Sequence, residues 1–174
     1  MKTLSCLLFV FAALPGFAQR VNPNEAKKKM DAKYGFREVR FEADTTTISG
    51  LQRAFKTGVT VYYRRPADNL TVGTATLASI YYGFVEGKLA EVLLETKGFE
   101  NTNAVREAFQ AEFGEGCSVC GGRGDYYWGS DKERITIDVD TANGDASIMI
   151  VSKPMLKATA VATKKAGKKA ASDL

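Results

Sequence analysis

Two cysteines, Cys117 and Cys120, have the spacing that most directly suggests chemistry, and they lie in the glycine-rich stretch GCSVCGGRGD at residues 116–125. A C-x-x-C pair suits a redox-active dithiol, two metal ligands or a local disulfide. A redox-active thiolate usually lies at a helix N-terminus, where its pKa is lowered. This pair instead follows a predicted helix, and the dipole at a helix C-terminus disfavours a thiolate.

The stretch CSVCGGRG also resembles the C-x-x-C-x-G-x-G unit of chaperone-type zinc domains, and the resemblance implies Cys117 and Cys120 as zinc ligands. In that family the unit occurs in several copies, whereas this chain has one. Structural zinc takes four ligands, but the chain has no histidine, and its third cysteine, Cys6, lies near the N-terminus. We therefore predict a disulfide between Cys117 and Cys120, with a thiol-active or metal-binding pair as the alternative.

The lack of histidine excludes Ser-His and Cys-His nucleophiles and any histidine-ligated metal. The segment DVDTANGD is a weak candidate for calcium, which prefers several oxygen ligands on a tight loop; its side chains are Asp138, Asp140, Asn143 and Asp145. The EF-hand spacing is missed, and an Asn-Gly hairpin turn explains the segment more simply. We therefore predict no catalytic residue, no metal and no cofactor, which favours a non-enzymatic protein.

Aromatic residues recur in successive predicted strands and form a candidate binding surface: Tyr62, Tyr63, Tyr81, Tyr82, Tyr126, Tyr127 and Trp128. Adjacent residues of a strand point to opposite faces of a sheet, so one member of each pair is expected in the core and the other outside. Outward aromatic side chains in register could bind a ligand. The alternative is ordinary cross-strand aromatic pairing, which stabilises sheets.

Hydrophobic alternation predicts the strands that carry these residues. The clearest strand is RITIDVD, in which Ile135, Ile137 and Val139 face a core and Thr136 faces water. Further strands are predicted in EVRFEA, VTVYYRR, LASIYYGF, KLAEVLLET and ASIMIV, and the segments between several of them are short enough for hairpins.

Two helices are predicted. Asn103 is a suitable cap for AVREAFQAEF, in which Val105, Phe109 and Phe113 share one face, and Gly114 is placed to end the helix. A shorter helix is predicted in TTTISGLQRAF, although Gly50 weakens it. Strands joined mainly by tight turns predict an α+β fold, an antiparallel sheet covered on one face by one or two helices.

The ends of the chain differ from its middle. Residues 1–18 have the charged start, short apolar run and small-residue cleavage site of a signal peptide. We expect a polar, partly helical lead-in at 19–33, a single α+β domain at 34–156, and a disordered Lys/Ala-rich tail at 157–174. The tail supplies the net charge of +4, and we interpret it as a solubilising segment and not as a nucleic-acid site.

The run ASIYYGFVEGKLAEVLLETKGFENTNAVREAF, followed by a glycine-rich turn and an aromatic strand, resembles small exported bacterial proteins of uncharacterised function. The resemblance covers residues 34–155 and implies export and the fold, with no functional residues. We predict a secreted or periplasmic protein without a transmembrane segment. We expect a non-enzymatic domain that binds a protein, a glycan or an envelope component through a sheet face.

Overall fold

The computed structural model describes residues 22–118 and 125–172, so the predicted signal peptide and Cys120 lie outside the described residues. The helices are α1 Pro23–Lys33, α2 Gly98–Phe113 and α3 Lys153–Ser172. The strands are β1 Gly35–Phe36, β2 Val39–Arg40, β3 Gln52–Thr57, β4 Thr60–Arg64, β5 Thr71–Val72, β6 Ala75–Val85, β7 Lys88–Thr96, β8 Tyr126–Gly129, β9 Glu133–Val139 and β10 Ala146–Ser152.

Eight strands form one antiparallel sheet in the order β3-β4-β6-β7-β10-β9-β8, with β5 paired to β6, while β1 and β2 form a separate hairpin. Hairpin turns join most neighbours, and at the β6–β7 turn Glu86 and Gly87 take the positive φ values of 48° and 82° that a tight turn requires. Helix α2 carries the chain from central β7 to edge strand β8. The antiparallel sheet with its helices confirms the predicted α+β class.

Helix α2 begins at Gly98, six residues before the predicted start at Ala104, so Asn103 lies within the helix and does not cap it. The Asp145 carboxylate, from the distant β9–β10 turn, accepts a hydrogen bond from the Gly98 N–H at 3.0 Å. A carboxylate at this end also suits the helix dipole. Gly114 ends the helix as predicted, with φ of 76° and its N–H bonded to the Gln110 carbonyl.

The main core lies between α2 and the face of the sheet that we call the first face. Strands β6, β7, β9 and β10 contribute fully or almost fully buried side chains to it, and α2 contributes three residues that share one helical face: Val105, Phe109 and Phe113. Ile135 and Ile137 are buried as predicted, whereas Val139 is only partly buried. The prediction that Thr136 faces water is wrong, since it is 8% exposed between its cross-strand neighbours Tyr127 and Met149.

The second predicted helix is also wrong. Residues Thr45–Thr47 form one turn of 3-10 helix, and Gln52–Thr57 form edge strand β3. Gly50 separates the two with a φ of 76°, which a continuing helix does not accept. Pairing with β4 gives this segment sheet hydrogen bonds, and the Phe55 ring stacks on Tyr62 at 4.5 Å between ring centroids. Tertiary pairing therefore outweighs the weak helical pattern.

The C-terminal segment forms helix α3, which corrects the prediction of a disordered tail from residue 157. Alanine and lysine have high helix propensity, and Met155 and Ala162 pack with Val85 and Ala90 in a second hydrophobic cluster. Val85 follows the core residue Phe84 in β6, so α3 contacts the opposite, second face of the sheet. None of the helices among the described residues is long and apolar enough to cross a bilayer.

The polar lead-in forms helix α1, capped by the Asn22 side chain and ended by Tyr34 in the left-handed conformation. Its buried residues, Ala26 and Met30, are spaced four apart, and Met30 belongs to the main core. Helix α1 also contacts α2. The lead-in is therefore part of the packed fold, and it brings its C-terminal lysine, Lys33, to the edge of the core.

Candidate functional site

The predicted aromatic residues divide between the two faces of the sheet. Four of them lie on the first face and belong to or pack against the main core: Tyr63, Tyr82, Tyr126 and Trp128. The remaining three, Tyr62, Tyr81 and Tyr127, alternate with these and therefore lie on the second face. The two-residue alternation thus predicted the division correctly, but Tyr62 is only 7% exposed and not open to solvent.

The second face carries a continuous row of side chains that crosses five strands. Strand register places each member directly opposite the next, in the order Tyr81, Leu93, Met149, Thr136 and Tyr127. We call this set the outer row. All but Thr136 are partly exposed, and neither hydrophobic cluster of the described residues includes any of the five. Among the described residues, the outer row is therefore a mainly apolar stripe that is partly exposed on four strands and interrupted on β9 by the buried Thr136.

An aromatic cluster extends the outer row towards the β3 edge. Phe55 is 39% exposed, stacks on Tyr62 and meets Tyr81 edge to face at 5.1 Å between ring centroids. The Tyr62 ring lies over Gly83, where an added Cβ would be 3.0 Å from Tyr62 Cε1 and 2.7 Å from Glu91 Cγ. Gly83 therefore provides the space that holds the ring flat against the sheet.

Polar groups flank the outer row on both sides. On the side nearer α3, Glu91 accepts a hydrogen bond from the Tyr62 hydroxyl, and burial together with this bond raises the pKa of Tyr62. Arg134 lies in the same lateral row as Glu91, with Val151 between them. On the other side, Ser79 donates to Glu95 at 2.5 Å, and Asp138 is exposed. Apolar centre and charged borders are the usual composition of a protein-binding surface.

The first face contains a cavity of about 250 Å³ between α1, α2 and the β9 and β10 strands. Its apolar wall comprises Phe36, Phe109, Phe113, Ile135 and Ile150, and its charged lining residues are Lys33, Arg37, Glu112 and Glu133. We call it the Glu133 cavity, because Glu133 is 2% exposed and its Oε2 atom has no hydrogen-bond partner within residues 22–118 and 125–172.

Burial in this apolar surrounding raises the pKa of Glu133 to about 7, because desolvation disfavours the charged carboxylate. The Gly35 N–H and the charge of Lys33 act in the opposite direction, and Asp31 adds to the rise. Glu133 is not among the site residues predicted from the sequence, although the sequence carries a signal for it. Glu133, Ile135 and Ile137 alternate along β9, which places the carboxyl on the same buried face as the two isoleucines.

A second cavity of about 350 Å³ lies beside the N-terminal half of α2 and includes Tyr126. Arg106 donates to the Tyr126 hydroxyl at 2.6 Å, and its Nε atom is buried with no hydrogen-bond partner among the residues that the structure describes. Tyr126 is therefore directed towards α2 and does not contribute to the second face.

The remaining predicted sites are the calcium candidates near the β9–β10 turn and the cysteine pair. Asp145 pairs with Lys97 at 2.5 Å, Asn143 accepts from the Asp145 N–H, and Asp140 accepts from the Ala142 N–H. Residues 22–118 and 125–172 contain no group of three or more acidic or cysteine side chains suited to a metal, so the calcium hypothesis gains no geometric support.

Cys117 forms a β-bridge with Tyr127, while the predicted disulfide to Cys120 falls outside the described residues and stays a prediction.

No protein-family model, no curated protein and no solved structure matches this chain.

Proposed function

We propose that this protein is an exported, non-enzymatic domain that binds a protein, a glycan or an envelope component through the second face of its sheet. The observation that carries the proposal is the outer row, a register-aligned row across five strands in which all side chains except the buried Thr136 are apolar or aromatic and partly exposed. Single exposed apolar residues are common on protein surfaces, whereas a contiguous apolar patch indicates an interaction site.

The backbone that carries the outer row is rigid. Every strand of the outer row except β8 is paired on both sides, so its side chains are held at fixed spacing. Rigid aromatic and aliphatic side chains lose little conformational entropy on binding. Charged side chains at the borders of the outer row add selectivity for a partner of complementary charge. Three of them are acidic, Glu91, Glu95 and Asp138, and one is basic, Arg134.

Export rests on the N-terminal sequence, with its charged start, apolar run and small residues before the expected cleavage after Ala18. A secreted or periplasmic location supplies the oxidising conditions in which Cys117 and Cys120 would form the predicted disulfide. The β-bridge from Cys117 to Tyr127 supports this role, since a closed loop after Cys117 would fix the path into β8.

The disulfide is testable on its own. In the native exported protein, intact-mass measurement under non-reducing conditions is expected to show two hydrogens fewer than after reduction, and labelling by a thiol reagent is expected only after reduction. Two thiols that react in the native protein, or a stoichiometric zinc ion lost when both cysteines are replaced by serine, would instead support the thiol-active or metal-binding alternative.

The binding surface is testable by photo-crosslinking from the outer row. A benzophenone amino acid at position 93 inserts into nearby C–H bonds of protein, glycan or lipid alike. We expect an adduct from position 93 when the protein is irradiated in the cells that produce it. The mass of the adduct would define the class of partner. Position 111, which is exposed on α2 away from the second face, is the matched control.

A second substitution makes the result specific to the outer row. Met149→Glu places a charge directly opposite position 93, and we expect it to reduce the adduct several-fold while the circular dichroism spectrum is unchanged. Equal adducts from positions 93 and 111, or none from position 93, would contradict the proposal.

A further inference from the structure

The Glu133 cavity has a composition that differs from the rest of the core. Aromatic and branched aliphatic side chains form much of its wall, yet it is also lined by Glu133, whose buried Oε2 atom has no hydrogen-bond partner among the described residues. Buried polar atoms are almost always paired, because leaving one unpaired costs free energy. An unpaired buried carboxyl that lines a cavity is the arrangement expected where a ligand supplies the missing partner.

Two cations lie at the aromatic wall of the same cavity. Lys33 Nζ is 5.8 Å from the centroid of the Phe113 ring, and Arg37 Cζ is 4.9 Å from that of Phe36. The acidic group on the α2 side, Glu112, is already paired with Lys29 at 3.2 Å. With Glu133 uncharged, the lining therefore has an excess of positive charge, which attracts an anion and repels an amine.

From this geometry we propose that the Glu133 cavity binds a small organic monoanion with an apolar body, such as an aromatic or short aliphatic carboxylate. The apolar body would contact the ring wall, and the carboxylate would lie between the two cations and Glu133. Glu133 in its protonated form donates a hydrogen bond to the carboxylate of the ligand, which satisfies the oxygen that is otherwise unpaired.

The volume limits the size of the ligand. An apolar cavity of about 150 Å³ is enough to bind benzene, so a cavity of about 250 Å³ leaves room for one ring with a short substituent or a chain of similar volume. Benzoate and hexanoate are suitable probes. Benzylamine and hexylamine have nearly the same bodies with the opposite charge, and they serve as matched controls.

Binding of an anion beside Glu133 requires the protonated carboxyl, so it takes up one proton from solvent whenever Glu133 is ionised in the free protein. Since the pKa of Glu133 is about 7, the competent fraction falls by roughly tenfold between pH 6 and pH 8, and the affinity falls with it. The charged and titratable groups that face Glu133 from the neighbouring elements are Asp31, Lys33, Tyr34, Arg37 and Glu112.

The test is calorimetric titration of the purified protein with the four probes at pH 6 and pH 8. We expect the two carboxylates to bind at pH 6 and about tenfold more weakly at pH 8, and the two amines to bind less tightly than the carboxylates at pH 6, where Glu133 is mostly uncharged. Glu133→Gln, a neutral hydrogen-bond donor of the same shape, is expected to keep carboxylate binding and to remove its pH dependence.

Lysine variants locate the site. Lys33→Gln is expected to weaken carboxylate binding several-fold, whereas Lys28→Gln, an exposed position on the same helix that does not line the cavity, is expected to leave it unchanged. Preferential binding of the amines at pH 6, no carboxylate binding at pH 6, or a pH dependence that persists in Glu133→Gln would each overturn the proposal. Thermal unfolding of every variant shows that a lost signal is not a lost fold.

Discussion

Glu133→Gln is expected to stabilise the protein at pH 8 and to change its stability little at pH 4. Glu133 is 2% exposed, and one of its carboxyl oxygens has no hydrogen-bond partner in the part of the chain that the structure describes, so its ionised form is poorly solvated in the folded state. Glutamine has nearly the same shape but no charge to desolvate. The expected gain at pH 8 is about 3 kcal/mol, from a pKa that rises from 4.5 to about 7 on folding.

The direction of the effect follows from proton binding. Between pH 4.5 and 7 the folded wild-type protein holds a proton on Glu133 that the unfolded chain has lost, so wild-type stability decreases as pH rises through this interval. Below it, both states are protonated and the two proteins are equivalent at this position. Above it, both states are ionised, and the wild-type protein carries the full cost of the buried charge.

Urea unfolding of wild type and variant at several pH values measures this difference. Glu107→Gln, an exposed glutamate on α2, is the control and is expected to stay within about 0.5 kcal/mol of wild type throughout. A Glu133→Gln effect that is the same at pH 4 and pH 8 would show that Glu133 does not change its protonation on folding.

Ile148→Ala is expected to lower the free energy of unfolding by roughly 2–5 kcal/mol, the range found for large-to-small substitutions in packed cores. Ile148 is fully buried in β10, directly opposite Leu94 of β7 and Ile137 of β9. Because strands are paired on both sides of it, the backbone there cannot easily close around the lost volume. The cavity left by the shorter side chain is therefore expected to stay largely open, and its free-energy cost is expected to remain.

The adjacent residue provides the matched control. Ser147 lies in the same strand, is exposed and points to the second face, so Ser147→Ala is expected to change stability by no more than about 0.5 kcal/mol. Chemical denaturation of the two variants compares the faces of β10 directly. Equal effects at positions 147 and 148 would mean that the assigned faces are wrong.

Predictions from the sequence were most accurate where a short run of residues determines the local structure by itself. Alternation along β9 predicted that Ile135 and Ile137 reach the first face, because the two-residue period of a strand fixes that choice. Gly114 marked the end of α2 for an equally local reason, since it adopts a backbone conformation that other residues disfavour.

Prediction failed where a distant segment determines the structure. Helix α2 starts at Gly98 because Asp145, far along the chain, accepts its N–H. Strand β3 forms because β4 is available to pair with it, and Thr136 is buried because neighbouring strands place Tyr127 and Met149 on either side. Helix α3 has a polar composition, yet its Met155 and Ala162 side chains pack in a hydrophobic cluster on the second face.

The amino-acid sequence by itself therefore determined the α+β class, most strands, the main helix and the division of the aromatic residues between two faces, since each depends on period and local backbone preference. Only the tertiary structure decided that Tyr81 and Tyr127 end the same outer row, and that Glu133 is a buried carboxyl beside Lys33 and Arg37. The physical reason is that strand register and desolvation depend on residues that are remote in sequence and adjacent only after folding.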